Sequence, residues 1–317
     1  MRAAVAHGFG APLVIEERPD PVPTGWEVVV NVTACGVCHS DLEVIDGRWS
    51  DFPFPRVLGH EIAGESDAFG NVLVYGAWGC GTCEFCARGE EQLCPRRTIA
   101  GHHRDGGYAD AVLVPSARHL FPLHGLDPVR AAPLTDAALT SYRAIRRVLP
   151  WTASGTTAIV VGVGGLGQFA VQWLKLLSKS RVIAVDRAAD KRQRAIQLGA
   201  DDTVGTEEPL PHARAVVDFV GSSETMQLAA RAVEPAGVIM TVGGGGGRLA
   251  FGLGAVPYES VLTTSSWGSR SELEQVLLHA RRGDLRWEVE ALSLERVNEA
   301  LAMLRAGEAR GRLVITP

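Results

Sequence analysis

The stretch "TAIVVGVGGLGQFAVQWLKLLSK", residues 157–179, restricts the fold of this chain more than any other. Its apolar, β-branched opening predicts a buried strand. Gly162, Gly164 and Gly167 follow as G-x-G-x-x-G. An apolar helical run comes next, so the glycines sit between a strand and a helix, the context that motif requires. The same rhythm continues. "RVIAVD" (181–186), "ARAVVDFV" (213–220) and "GVIMTVGG" (237–244) read as strands, and "AADKRQRAIQLGA" (188–200) and "SETMQLAARAVE" (223–234) as helices. Strands alternating with helices of this length predict βαβ units on a doubly wound parallel sheet over 138–266.

The first part of the chain reads differently. "EVVVNVTACG" (27–36) and "YADAVLVP" (108–115) are short strands among frequent prolines and glycines, predicting an antiparallel β region with loop-borne sites. After 266 come two predicted helices, Ser271–Arg282 and Leu294–Ala306, and a last strand in "GRLVITP". The fold class is therefore α/β with a second, β-rich domain.

One stretch imitates a membrane span. Val148 to Leu174 carries no charge, a length that could cross a bilayer. Pro150, "TASGTT" and the glycine turn within it argue for a strand, a turn and a buried helix start instead. With 46% hydrophobic and 21% charged residues the composition is that of a soluble globular protein. The net charge of −5 and the lack of a basic cluster speak against a nucleic-acid partner. "MRAAVAHGFG" has no apolar core of a secretory signal, so a cytoplasmic protein is expected.

The glycine turn implies a ligand. Gly162 permits the tight turn, Gly164 lets a pyrophosphate approach the backbone, and Gly167 allows close helix–strand packing. Free N–H groups and the dipole of the helix start favour that anion. Asp186 ends the next strand, 19 residues after Gly167. Its carboxylate can take both ribose hydroxyls and repels a 2′-phosphate, so NAD is expected over NADP. Arg187 beside it keeps NADP open.

All six cysteines lie in the first third of the chain. "CGTCEFCARGEEQLC" spaces Cys80, Cys83, Cys86 and Cys94 as C-x2-C-x2-C-x7-C. Four thiolates at that spacing suit a closed tetrahedral zinc site that pins a loop, with an iron–sulfur cluster as the competing reading. Cys35 and Cys38 in "ACGVCHSDLE" leave three readings open: a redox couple, part of a zinc site, or chance. Downstream stand His60 and Glu61 in "VLGHEIAGE" and Asp136 in "APLTDAALTSYRAI". Each taken alone is ordinary; an Asp before a helix is usually a cap.

The order GVCHSD, GHE, four-cysteine lobe, PLTDAALTSYRA, GVGGLG and strand-end Asp resembles the zinc-dependent alcohol dehydrogenases of the medium-chain dehydrogenase/reductase family. The subgroup is similar to bacterial secondary-alcohol dehydrogenases, and "WGSRSEL" (267–273) and the closing "GRLVI" fit it too. The resemblance covers nearly the whole chain. It implies a GroES-like catalytic domain from 1–137 and 267–317 and a Rossmann NAD-binding domain from 138–266. It also implies a catalytic zinc on Cys38, His60 and Asp136, with Glu61 behind it, and a structural zinc on the four-cysteine lobe, two zinc ions per chain in all. Ser40 would relay the alcohol proton, Asp41 would hold the ring of His60, and His39 would sit near the pyrophosphate. Gly162, Gly164, Gly165, Leu166, Gly167, Asp186, Arg187, Lys191, Val242 and Arg312 would contact NAD(H). Cys35 would be a small buried residue. Trp49, Phe54 and Trp267 are candidate pocket walls.

The implied activity is hydride transfer between an alcohol, or its aldehyde or ketone, and NAD(H). Two alternatives share features with it: a same-fold NAD(P)H-dependent reductase of a C=N or activated C=C bond, and a non-catalytic zinc- and nucleotide-binding protein. The latter has no need of Cys38, Ser40, His60 and Asp136 together. The partners expected are a small-molecule substrate and further copies of the chain, as a homodimer or homotetramer. Two departures stand out. Glu43 occupies the place where many members end the proton relay with histidine. The stretch between His60 and Cys80 is also roughly a dozen residues short of the family's, with "DAFGN" as a tight replacement turn.

Overall fold

A computed structural model describes all residues from 1 to 317. The chain divides into two compact units, one from Met1–Asp136 with Gly268–Pro317 and the other Ala137–Trp267.

The first unit is built on β-structure. Its main sheet runs through Leu120–Pro122, Gly70–Val74, Glu61–Ser66, Val28–Gly36, Arg312–Thr316 and Val289–Ser293, with Ala111–Val114 also paired to Val28–Gly36. A three-stranded sheet joins Val14–Glu17, Arg2–Ala6 and Arg56–Val57. The pairs are antiparallel apart from Val289–Ser293 with Arg312–Thr316. Val30, Val57, Leu58, Ile62, Val72, Tyr108 and Leu313 close the core between these strands. "DAFGN" is a hairpin turn: Ser66 pairs with Gly70, and Gly70 has φ +64°. It joins two strands directly, so the short segment preserves the sheet.

The second unit is a six-stranded parallel sheet. Its spatial order is Asp202–Val204, Arg181–Val185, Thr157–Val161, Ala213–Asp218, Val233–Thr241, Val261–Thr264. Counted along the chain this is 3-2-1-4-5-6, the doubly wound order of dinucleotide-binding folds. The order reverses at Thr157–Val161, and the glycine turn leaves the carboxyl end of that strand, where such sheets bind their ligands. Helices Gly167–Leu177, Ala189–Gln197 and Ser223–Ala232 form as expected from their apolar spacing. Strands Asp202–Val204 and Val261–Thr264 and helix Ala137–Val148 add to those read from sequence. Both strands are short and sit at the sheet's edges, where one side of the ladder is open and the apolar pattern weakens. No helix is long and apolar enough to cross a membrane.

Candidate zinc centre and nucleotide turn

Cys38 sits at the junction of strand Val28–Gly36 and helix His39–Ile45, as that helix's N-cap. The Asp41 carboxylate accepts the Cys38 backbone N–H at 3.0 Å, so the acid locks the start of the helix that carries Ser40. His60 precedes strand Glu61–Ser66, and Asp136 follows the short turn Ala132–Thr135. Residues from three distant segments thus converge. Cys38, His60, Glu61 and Asp136 are all buried, and one donor atom of each lies within 4.8 Å of every other.

These residues fit a zinc ion. Cys38 Sγ lies 3.4 Å from Asp136 Oδ2, and His60 Nε2 lies 3.6 Å from the same oxygen. A tetrahedron with metal–ligand arms of about 2.0–2.3 Å has edges of about 3.3–3.8 Å. The electrostatics agree. Burial opposes a proton on His60, yet Asp136 and Asp41 overcome it and raise its pKa well above the ordinary value. The carboxylates around the ring favour positive charge at this place. Burial first, then Asp136, raise the Cys38 thiol, so the thiolate needs a counter-charge here.

The surrounding groups orient the ligands. Asp41, fully buried, faces His60 Nδ1 at 3.6 Å and accepts the Tyr108 hydroxyl at 2.8 Å. A carboxylate on one ring nitrogen directs the other toward the metal position. Glu61 pairs with the guanidinium of Arg312, both within the interior. Burial raises the Glu61 carboxyl to about 7 against the pull of Arg312. Its second oxygen, Oε2, has no hydrogen-bond partner and is free to meet a cation. A Cβ on Gly36 would stand 1.9 Å from that oxygen, so only glycine lets Glu61 occupy this place. Ser40 Oγ lies 3.4 Å from His60 Nε2. Glu43, further along the helix, stands beside Arg48 at 4.0 Å, and burial raises its carboxyl although Arg48 and a hydrogen bond with Trp49 oppose the rise. Cys35 is fully buried, and all six cysteines are free.

The four lobe cysteines gather around helix Glu84–Ala87, their sulfurs within 4.8 Å of one another. Cys83 and Cys86 are 3.5 Å apart and Cys80 and Cys86 4.0 Å, spacings that suit a tetrathiolate zinc. Hydrogen bonds from Thr82 hold the Cys80 thiol down at about 5. Glu91, 2% exposed, anchors the lobe. It accepts the backbone N–H of Gly79 at 2.7 Å and faces His119 at 3.0 Å and Arg118 at 3.2 Å.

In the second unit Gly162 has φ +84°, and a Cβ on Gly167 would stand 1.8 Å from the Gly162 carbonyl. A Cβ on Gly164 would meet nothing within 4 Å, which leaves its backbone approachable. Gly165, Leu166 and Gly167 carry the turn into the helix. Asp186 is 8% exposed and ties two loops, accepting from Val163 N at 2.8 Å and Ala188 N at 2.9 Å. Arg187 is exposed and Lys191 half-buried nearby in sequence, and Arg192 donates to the carbonyls of Asp186 and Arg187. Val242 donates to the Asp218 carbonyl at the end of its strand.

Other expected residues fall as follows. His39 is exposed at the helix start. Phe54 packs between Phe9 and Phe52, each ring centroid 4.9 Å away. Trp49 stacks edge-on to His102 at 4.5 Å, and Trp267 is buried. Arg312, expected at the cofactor, has Glu61 as its partner. Sequence reasoning missed Tyr108, Glu91, His102 and Arg192, because each acts through a partner distant in sequence or through backbone atoms.

Comparison with known proteins agrees with this geometry. Residues 24–125 match the alcohol dehydrogenase GroES-like domain, and 165–281 match the zinc-binding dehydrogenase domain. The chain is 34% identical to a D-arabinose 1-dehydrogenase (NADP(+)) of Saccharolobus solfataricus, over 100% of this chain and 97% of that one. It is 32% identical to an NAD-dependent alcohol dehydrogenase of Sulfurisphaera tokodaii, over the full length of both. The crystal structure of an alcohol dehydrogenase from Aeropyrum pernix superposes with a TM-score of 0.94 at 32% identity, covering 100% of each chain. The chain belongs to the zinc-dependent alcohol dehydrogenases of the medium-chain dehydrogenase/reductase family.

Proposed function

We propose that this chain oxidises an alcohol to its aldehyde or ketone, and catalyses the reverse reduction, with NAD(H) as hydride carrier. The observation that carries this reading is the burial of Cys38, His60, Glu61 and Asp136 in one cluster with Ser40 at its edge. A zinc ion held there supplies Lewis acidity toward an alcohol or carbonyl oxygen, and a bound nicotinamide supplies the hydride acceptor or donor. The remaining work falls to the chain itself. The Ser40 hydroxyl both accepts and donates, so it takes the substrate proton while releasing its own. Glu43, three residues on in the same helix, or water receives it in this reading, and burial raises the Glu43 carboxyl. Asp41 and Tyr108 keep the His60 ring from turning. Arg312 holds Glu61 in place through a buried ion pair.

Asp186 supports NAD over NADP, since its carboxylate favours ribose hydroxyls and disfavours a phosphate. Cys38, His60, Glu61 and Asp136 supply the catalytic zinc ligands in this reading, and Cys80, Cys83, Cys86 and Cys94 the structural ones. A cytoplasmic, reducing location suits six free thiols, four of them gathered for a metal.

A homo-oligomer is also proposed. Strand Val261–Thr264 leaves one edge of the parallel sheet open. Phe251, Leu253 and Tyr258, at 71%, 96% and 73% exposure, lie in the segment leading to it. An open edge beside exposed apolar residues suits pairing with a second copy about a two-fold axis. Sedimentation of the purified protein checks this: a monomer at micromolar concentration refutes it.

Activity is tested by a screen of primary alcohols, secondary alcohols, aldehydes, ketones and cyclic imines with both cofactors. Turnover of an alcohol–carbonyl pair with NAD(H) is the expected result. Reduction confined to imines sinks the proposal.

A further inference from the structure

His102 is a buried polar residue that the zinc cluster does not use. It lies on the turn after strand Thr98–Ile99, its backbone N–H donating to the Ile99 carbonyl. The side chain is in the interior, and neither ring nitrogen has a hydrogen-bond partner. A neutral imidazole offers one N–H donor and one lone pair.

Its neighbours give it a direction. The ring stands edge-on to Trp49 at 4.5 Å on one side and to His60 at 5.5 Å on the other, with Phe52 at 6.1 Å. Trp49 is 37% exposed, whereas His60 belongs to the metal cluster. The three rings thus lead from the surface to the zinc ligands, and His102 is the middle one. One of its nitrogens lies within 4.8 Å of a carboxylate oxygen of Asp41 and a ring nitrogen of His60.

A buried donor and acceptor left unpaired destabilise the fold. An apolar side chain would fill an aromatic wall without that cost. We propose that His102 is a specificity-determining residue that hydrogen-bonds a second oxygen on the substrate, one or two carbons from the reacting one. The substrates it selects are polyfunctional: vicinal diols, hydroxyketones and sugars. A hydroxyl both donates and accepts, so it pairs with whichever ring nitrogen faces it, protonated or not. The two rings meet edge-on, so a substrate whose reacting oxygen sits beside His60 carries its next carbons alongside His102. A site with such a group discriminates against analogues that lack the hydroxyl, because its polar atoms then stay unpaired. This inference rests on the alcohol dehydrogenase reading.

The test compares reduction of hydroxyacetone and acetone by the zinc-loaded enzyme with NADH. The two ketones differ by one hydroxyl beside the same carbonyl. The wild-type enzyme is expected to prefer hydroxyacetone in kcat/KM. In His102→Ile that preference should fall by about tenfold or more, mainly through KM. His102→Gln, which keeps a donor and an acceptor, should recover part of it. Zinc content and NADH binding of each variant identify any that has misfolded, and His102→Gln carries the test if His102→Ile has. A wild-type enzyme that reduces both ketones equally overturns the inference and leaves the parent reading standing. So does a His102→Ile variant that loses both substrates in proportion, the mark of a structural role. A wild-type enzyme that reduces neither, nor any other carbonyl, overturns the parent reading and this inference with it.

Discussion

In the proposed function Asp186 serves two tasks. Its oxygens already accept two backbone N–H groups, which join the glycine turn to the loop after the next strand. A carboxylate has roughly four acceptor positions, so capacity for ribose hydroxyls remains. Asp186→Gly should loosen both cofactors and shift the NAD/NADP ratio of kcat/KM toward NADP by about tenfold or more, since Arg187 and Lys191 follow it. Steady-state kinetics with both cofactors reads this, and an unchanged ratio would show that another residue reads the ribose. Single residues differ in how legible they are. Asp186 is marked by its distance from Gly167, and the cysteines by their spacing. Tyr108 and His102 carry no such mark. Their importance comes from contacts with Asp41 and His60, more than forty positions away, which no local pattern encodes. For Glu43 the sequence supplied a departure, and the structure supplies its surroundings, Arg48 and Trp49.

At the scale of elements, the four-cysteine lobe has only the short helix Glu84–Ala87 and the turn Glu91–Leu93. Neither residue set makes a core of its own, so in the proposed function the lobe depends on a metal and on Glu91. The Glu91 carboxyl lies below its ordinary range: burial works against this, but His119, Gly79 and Arg118 prevail. A depressed pKa stabilises the fold above the unfolded value of 4.5, and the contribution is lost as pH falls through the folded value. Glu91→Gln should therefore cost about 3 kcal/mol at neutral pH, within the range for removing one partner of a buried pair. The difference from wild type should shrink below pH 4.5. Thermal melts of zinc-loaded protein across that range check this; a constant difference at all pH values would remove Glu91 from the ionised network. The βαβ elements were readable from their apolar periodicity. The edge strands Asp202–Val204 and Val261–Thr264 were not, because short, half-exposed strands lack a strong alternating pattern.

For the whole molecule, each unit carries a separable part of the chemistry. The first gathers both cysteine-containing clusters, and the second holds the glycine turn and Asp186. The fold class was legible because the two halves differ in rhythm, one strand-rich and one alternating. The zinc centre was less so: Cys38, His60 and Asp136 come from three segments, and spacing alone leaves each with an ordinary reading. Their order along the chain suggested a site, and folding brings their donor atoms together. In the proposed function, turnover depends on a zinc ion held in this buried cluster. The direct measurement is zinc content and alcohol-dependent NADH formation, taken on the same samples of wild type and Cys38→Ala. Two zinc ions per chain and turnover are expected in the wild type, against one zinc ion, retained NADH binding and no turnover in the variant. A Cys38→Ala protein that oxidises alcohol at the wild-type rate, or a wild type active with one zinc ion in the lobe alone, would contradict it.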